Sequence, residues 1–212
     1  MGEPIVAAGG LLCLVMVVFV GAIAMARRRR DRREHQRWRY WADRHGWTVG
    51  IRPRVGWSRQ VPGEVRLAVS GVLDGRHVTV AECAVTDADT NTTFFVATVA
   101  VLRRALPDVE VEPRSTVSRW LGTGLRTGRA DFDDAFRIRT ADIRWLPVAL
   151  IEAQVAGALP AAWSVRGNHL AVVRRGRLDP GQVVHEAARS LPLAALLDPS
   201  TPSPAQWAGG GL

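Results

Sequence analysis

A chain of 212 residues, 47% of them hydrophobic, has room for one domain beside an anchor. Its two cysteines, Cys13 and Cys83, fall in segments that would not meet, which excludes a disulfide framework. The formal net charge of +8 is local: residues 1–60 carry 12 Arg against 4 acids, whereas residues 61–212 carry 16 of each, so the rest of the chain is not the basic surface that nucleic acid requires.

All 28 basic residues are Arg, and with the abundance of Ala, Gly, Val and Pro this is read as the codon bias of a GC-rich genome. Ile5 to Ala26 holds 22 residues without a charge. As a helix the run spans roughly 33 Å, enough for a bilayer core, and it predicts a single transmembrane anchor. A cleaved signal peptide is the main alternative, because Ala24-Met25-Ala26 has the small residues of a cleavage site. The N-terminal flank, however, carries Glu3 and no Arg. The positive charge follows the run, at Arg27, Arg28, Arg29, Arg30, Arg32 and Arg33, which places the N-terminus outside and the remainder in the cytoplasm. A myristoylation signal is excluded by Val6.

Asp31 to His45 predicts an Arg-rich helix with Trp38, Trp41, Ala42 and His45 on one face and Gly46 as its C-terminal cap. That face packs on the domain or lies on the membrane surface. In the second case the six arginines above, with Trp38 and Trp41, are the candidate contacts to anionic lipid headgroups. The arginines also have a plainer role, fixing topology alone.

Strands are expected next. Val65 to Leu73 and Arg76 to Val85 flank Asp74-Gly75, a two-residue hairpin signal. Asp87 to Asn91 reads as a polar loop, and the apolar run Thr93 to Leu102 as a central strand buried on both faces. Val109 to Glu112 alternates and predicts a short edge strand. A short helix is expected over Ser115 to Leu121, a glycine-rich stretch over Gly122 to Arg129, and a strand over Phe136 to Arg139. Thr140 caps a helix over Ala141 to Ala158, which Pro147 either kinks or delays to about Leu146. Trp163 to Val165 and Leu170 to Arg174 predict a second hairpin around Gly167-Asn168. Asp179-Pro180 opens a last helix ending near Ser190. The polar, Pro-rich tail from Pro199 lacks a core-forming pattern. The fold class is α+β, a mainly antiparallel sheet with packed helices. The organisation is an anchor over 1–26, a juxtamembrane helix over 27–47, a cytoplasmic domain over 48–195 and a disordered tail over 196–212.

Several short motifs carry a resemblance: Arg44-His45-Gly46-Trp47, Ser70-Gly71 with Gly75-Arg76, Phe136-Arg137-Ile138-Arg139, and Arg175-Gly176-Arg177-Leu178-Asp179-Pro180. With the preceding anchor, they resemble an uncharacterised family of actinobacterial single-pass membrane proteins over most of residues 38–190. The resemblance implies the membrane anchor and carries no functional residue across.

Candidate chemistry is sparse. Asp87, Asp89 and Asn91 begin a calcium-loop pattern, but Thr92 and Thr98 stand where Gly and Glu are needed. Gly122, Gly124 and Gly128 miss the dinucleotide spacing by one residue, and a phosphate-binding loop lacks its Lys. Asp131, Asp133 and Asp134 read as capping residues of a short helix rather than a metal site. His77, His169 and His185 lie in no nucleophile motif. Cys83, beside Glu82, reads as a core thiol. No catalytic residue, metal ligand or cofactor is expected. The sequence reads as a membrane-anchored interaction module whose partners are the bilayer and an unidentified protein, without nucleic acid. The alternative is an enzyme whose site, for example Asp131, Asp133 and His169, is assembled only by folding.

Overall fold

The computed structural model describes residues 33–114 and 125–199, together with Met16, Phe19, Gly21, Met25 and Ala26. The chain divides into two compact units, Met1–Gly46 and Trp47–Leu212. Among the described residues no helix is long and apolar enough to cross a membrane. The expected anchor lies mostly outside those residues, as do the expected helix over Ser115 to Leu121, Gly122, Gly124 and the tail from residue 200.

In the first unit, residues 33–45 form helix α1. It ends where expected, with Gly46 at φ +68°, a left-handed conformation that suits glycine. Trp38 and Ala42 are buried, Trp41 is half-buried and Tyr40 is exposed. The Trp41 and His45 rings stack with centroids 4.2 Å apart, while Arg44 donates to the Tyr40 hydroxyl at 3.1 Å.

The second unit is α+β. Its six strands are β1 (Thr48–Ile51), β2 (Glu64–Leu73), β3 (Arg76–Thr86), β4 (Thr92–Pro113), β5 (Phe136–Thr140) and β6 (Trp163–Arg175). All pairings are antiparallel, and the strands run β1-β2-β3-β4-β5 with β6 against β4. The helices are α2 (Ala130–Ala135), α3 (Val148–Val155), α4 (Val183–Arg189) and α5 (Leu191–Leu197). The β2–β3 hairpin turns at Asp74-Gly75, where φ is +49° and +72°, the paired positive values of a type I′ turn.

Strand β4 organises the sheet. Its first half lies between β3 and β6, and its second half between β5 and β6. The β4–β6 register shifts between Val101 and Leu106 and again between Leu106 and Val109. Arg103 and Arg104 point to solvent there and Pro107 has no N–H for the ladder, so the strand bends in this stretch.

Three expectations are corrected by this topology, and one left with two alternatives is decided. Trp163 to Val165 and Leu170 to Arg174 are one strand, not a hairpin: both pair with β4, and Gly167, at φ +57°, sits opposite Leu106 at the bend. Val109 to Glu112 is the inner part of a strand paired on both sides, not an edge. The third helix takes the delayed start, beginning at Val148 with Pro147 as its N-cap and without a kink, because proline lacks the N–H that an interior position would need. A further helix, α5, follows Ser190, and it buries Leu197 with Asp198 after it, so the folded part extends into the stretch 196–212 expected to be a disordered tail.

Each face of the sheet has its own cover. On one face Val69, Val80 and Val96 are buried under α4 and α5. The Thr98 hydroxyl donates to the Glu186 carbonyl at 3.3 Å, and Glu82 accepts from the Leu178 N–H at 3.1 Å. On the other face Ala68, Ala81 and Ala97 stand opposite one another across three strands. These small side chains leave room for Trp57 and Val61, carried on the strap of residues 52–63 between β1 and β2. Glycine is required at two close approaches. A Cβ on Gly71 would lie 2.3 Å from the Trp47 indole, and one on Gly63, at φ +69°, would lie 2.1 Å from the Ala84 carbonyl oxygen.

Candidate functional site

The residues singled out in sequence do not form one constellation. Arg27, Arg28, Arg29, Arg30 and Arg32 lie outside the described residues; Arg33 is exposed on α1, Trp38 is buried and Trp41 is half-buried. Among the described residues no group of His, Cys, Asp and Glu is placed to hold a metal ion. The Asp87 loop is closed by its own hydrogen bonds, with the Asn91 N–H donating to Asp87 Oδ1 at 2.8 Å.

The acidic cluster is engaged in local structure. Asp133 accepts from the Thr127 N–H at 2.8 Å, the Thr127 hydroxyl at 2.9 Å and the Gly128 N–H at 3.2 Å. Asp131 pairs with Arg129 at 2.9 Å and accepts from the Phe132 N–H; the Arg129 hydrogen bond, then that N–H, hold its carboxyl below the usual range. They are not the caps of α2 that the sequence suggested: its N-cap is Arg129, without a side-chain cap hydrogen bond, and Asp131 and Asp133 instead stand in the first turn, where negative charge is favourable, and tie down the turn before it. His169 lies far from them. It stands opposite Val101 on β4, whereas α2 adjoins the far end of that strand, at the Pro113–Phe136 pair. A dozen strand residues intervene, on the order of 30–40 Å. The scattered carboxylate–histidine site is therefore not assembled. Cys83 is buried, and burial first, with Glu82 second, pushes its thiol up to about 11. Such a thiol is not a nucleophile near neutral pH.

A cleft the sequence did not announce lies where the strap meets the bent sheet. Its volume is about 200 Å³, and its lining includes Gln60 and Pro62 from the strap, Glu110 and Glu112 from β4, and Ser164, Ala171 and Val173 from β6. The strap is held over β6 by Gln60 Nε2, which donates to the Arg166 carbonyl at 3.3 Å. Gln60 Oε1 is buried with no hydrogen-bond partner. Beyond the cleft the two glutamates meet β5 in an ion-pair ladder: Arg139 lies 3.2 Å from Glu110 and 3.2 Å from Glu112, and Arg137 lies 3.5 Å from Glu112. One signal in the sequence pointed to this ladder. Val109-Glu-Val-Glu and Phe136-Arg-Ile-Arg alternate with opposite charge, the pattern of directly paired strands. Nothing local joined Gln60 to either.

A second cleft of about 280 Å³ is lined by Arg114, Arg126, Gly128, Ala130, Asp133 and Asp134. Its polar groups are largely committed, Asp133 as above and Arg114 Nε to the Phe136 carbonyl at 3.0 Å.

The fold and this cleft define a small antiparallel α+β domain with a shallow, acceptor-rimmed groove. No protein-family model matches the chain, and no curated protein does. Among solved structures it is similar to the mycobacterial trehalose monomycolate transport factor A, TtfA, with 13% identity and a TM-score of 0.45 over 79% of this chain and 97% of that one. A likeness that distant carries no function across.

Proposed function

We propose that this chain is a membrane-anchored cytoplasmic interaction module without catalysis of its own, of the actinobacterial single-pass type that its motifs resemble. Ile5 to Ala26 is the anchor. Met16, Phe19 and Met25 within it are helical and expose 59%, 62% and 57% of their surface, as lipid-facing side chains would. Arg27, Arg28, Arg29, Arg30, Arg32 and Arg33 hold the following segment at the inner leaflet, against anionic headgroups, with the half-buried Trp41 beside them; Trp38, only 3% exposed, is withdrawn from the expected lipid contacts because its indole is packed inside the protein.

The observation that carries the binding reading is the groove between the strap and β6. At about 200 Å³ it falls below the roughly 300–1,000 Å³ of cofactor and metabolite sites and suits a side chain from another protein. Both its carboxylates are tied to arginine, so neither is poised for proton transfer. The test is site-specific photo-crosslinking in intact cells. A benzophenone side chain replacing Ser164, in the groove, should give a discrete cross-linked polypeptide, whereas one replacing His185, exposed on α4, should not. Equal labelling from both positions, or none from Ser164, would remove the groove as a binding site.

A further inference from the structure

We propose that Arg66 and Arg177, held against Phe94, are a second contact between this chain and the bilayer, taking the phosphates of anionic lipid headgroups. The proposal rests on the reading of Ile5 to Ala26 as an anchor. Three irregular points of the backbone meet at this place. Arg66 is the extra residue of a β-bulge: Val65 stands opposite Cys83 and Leu67 opposite Glu82, so β3 offers it no partner. A bulge re-aims the side chain it carries. The Arg66 carbonyl accepts the Arg52 N–H at 2.9 Å, and Arg52 sits at φ +46°, a conformation that residues other than glycine rarely adopt. Gly176, at φ +140°, donates its N–H to the Phe94 carbonyl at 2.9 Å and fixes the chain as it leaves β6. Arg177 follows it, with its guanidinium carbon 3.8 Å from the centroid of the Phe94 ring, and that of Arg66 is 5.7 Å from the same centroid.

The charge gathered here is unspent. Among the described residues no carboxylate lies within ion-pair distance of Arg66 or Arg177, whereas Arg76, Arg129, Arg137, Arg139, Arg174 and Arg189 each have one. The Glu82 carboxylate, on the same face of the sheet as Phe94, instead accepts the Leu178 N–H. Both guanidiniums are exposed, and so is Arg52, while Phe94 is half-buried beneath them. Like charges gathered about one ring repel each other, and an anion beside them relieves the repulsion. The ring favours a flat guanidinium and restrains it, which leaves its N–H fork free for phosphate oxygens. Two exposed arginines are too few to capture a phosphate from dilute solution. An anchor in the same chain supplies the bilayer at high effective concentration, so a contact this weak is populated only against the membrane.

The experiment uses the full chain carrying Cys13→Ser, reconstituted in vesicles of phosphatidylcholine alone or mixed with phosphatidylglycerol, both containing a lipid with a nitroxide on its headgroup. A fluorophore is attached at Asn91→Cys, in the exposed turn before β4, or at Glu34→Cys, on α1 beside the arginine cluster. The Glu34 label should be quenched in both vesicles, because the anchor holds it at the surface. The Asn91 label should be quenched strongly only where phosphatidylglycerol is present. Arg66→Gln and Arg177→Gln should each lower the ratio of docked to undocked domain about fivefold, the equivalent of about 1 kcal/mol for one basic residue at an anionic surface. Should a variant misfold, the comparison of lipids on the unaltered chain still decides. Equal quenching of the Asn91 label in the two vesicles, or undiminished quenching in both folded variants, would overturn the proposal. So would release of the domain by millimolar inorganic phosphate at constant ionic strength, since the pair would then be a small-anion site. A quenched Glu34 label beside an unresponsive Asn91 label removes this contact alone, and a Glu34 label quenched in neither vesicle removes the anchor as well.

Discussion

Asp198→Ala should cost the domain more than any other substitution near the C-terminus of its folded part. Asp198 and Arg76 are both buried, and their side chains meet at 3.1 Å. The same carboxylate accepts the Arg103 N–H at 2.7 Å, so one side chain fastens the end of α5 to the β2–β3 hairpin and to β4. Burial opposes the charge, but the Arg103 N–H and the Arg76 guanidinium outweigh it and hold the carboxyl below its usual range. Truncation leaves a guanidinium buried without a counter-charge and an N–H without its acceptor. Breaking a buried pair in this way costs roughly 3–5 kcal/mol. For a unit of this size each kcal/mol shifts Tm by roughly 2–4 °C, so the variant should melt about 10 °C below the parent. The double variant Arg76→Met with Asp198→Leu should recover most of the loss, because no charge is then stranded. The contribution should be full above about pH 4, the ordinary aspartate range, and lost only as the pH falls through the lower folded-state value. Thermal and denaturant unfolding of the 47–199 fragment, with the pH series, make the measurement. A loss under about 1 kcal/mol, or a double variant as damaged as the single, would refute the account of a buried clamp.

A fragment ending at residue 195 lacks both Asp198 and Leu197, which is 2% exposed, and should unfold with poor cooperativity beside one ending at 199, as near-ultraviolet circular dichroism would report. Gly63→Ala should destabilise by about 2–4 kcal/mol in urea, since its Cβ meets backbone and not a movable side chain, whereas Gly75→Ala, in open space at φ +72°, should cost only about 1 kcal/mol of turn strain. Cys83 should resist iodoacetamide at pH 8 until the domain unfolds; rapid labelling of the native protein would contradict its burial. A peptide of residues 27–47 should bind anionic vesicles more tightly than neutral ones and lose most of the difference in 1 M salt, where screening falls to roughly 3 Å; equal binding to both would leave the arginines a topological role only.

The parts of this fold legible in sequence were those whose cause is local. Asp74-Gly75 specifies its turn through backbone conformation, and Pro147 specifies a helix start through a missing N–H. Gly167-Asn168 carries the same local signal as a hairpin, yet there the positive φ serves a bend in one strand. The deciding factor was β4, whose 22 residues offer a partner to both halves of β6. Helix α5 lies beyond Ser190, where the last helix was expected to end, and it carries Pro192 near its start. That proline stands within the first turn, where its absent N–H costs nothing.

The site was less legible for a physical reason. Its members, Gln60, Glu110, Glu112 and Ser164, are joined by no spacing rule, and they meet only because β4 bends and the strap crosses to β6. The two arginine populations also had to be separated. Those after the apolar run, eight Arg over residues 27–39 against Asp31 and Glu34, leave a local excess of positive charge. Arg137 and Arg139 are matched one for one by Glu112 and Glu110 across a strand pair. That matching leaves the groove's carboxylates little suited to proton transfer. A carboxylate already paired with a guanidinium is held in its charged form and is a poor proton donor. It remains a good acceptor, and accepting is what a docking groove asks of it.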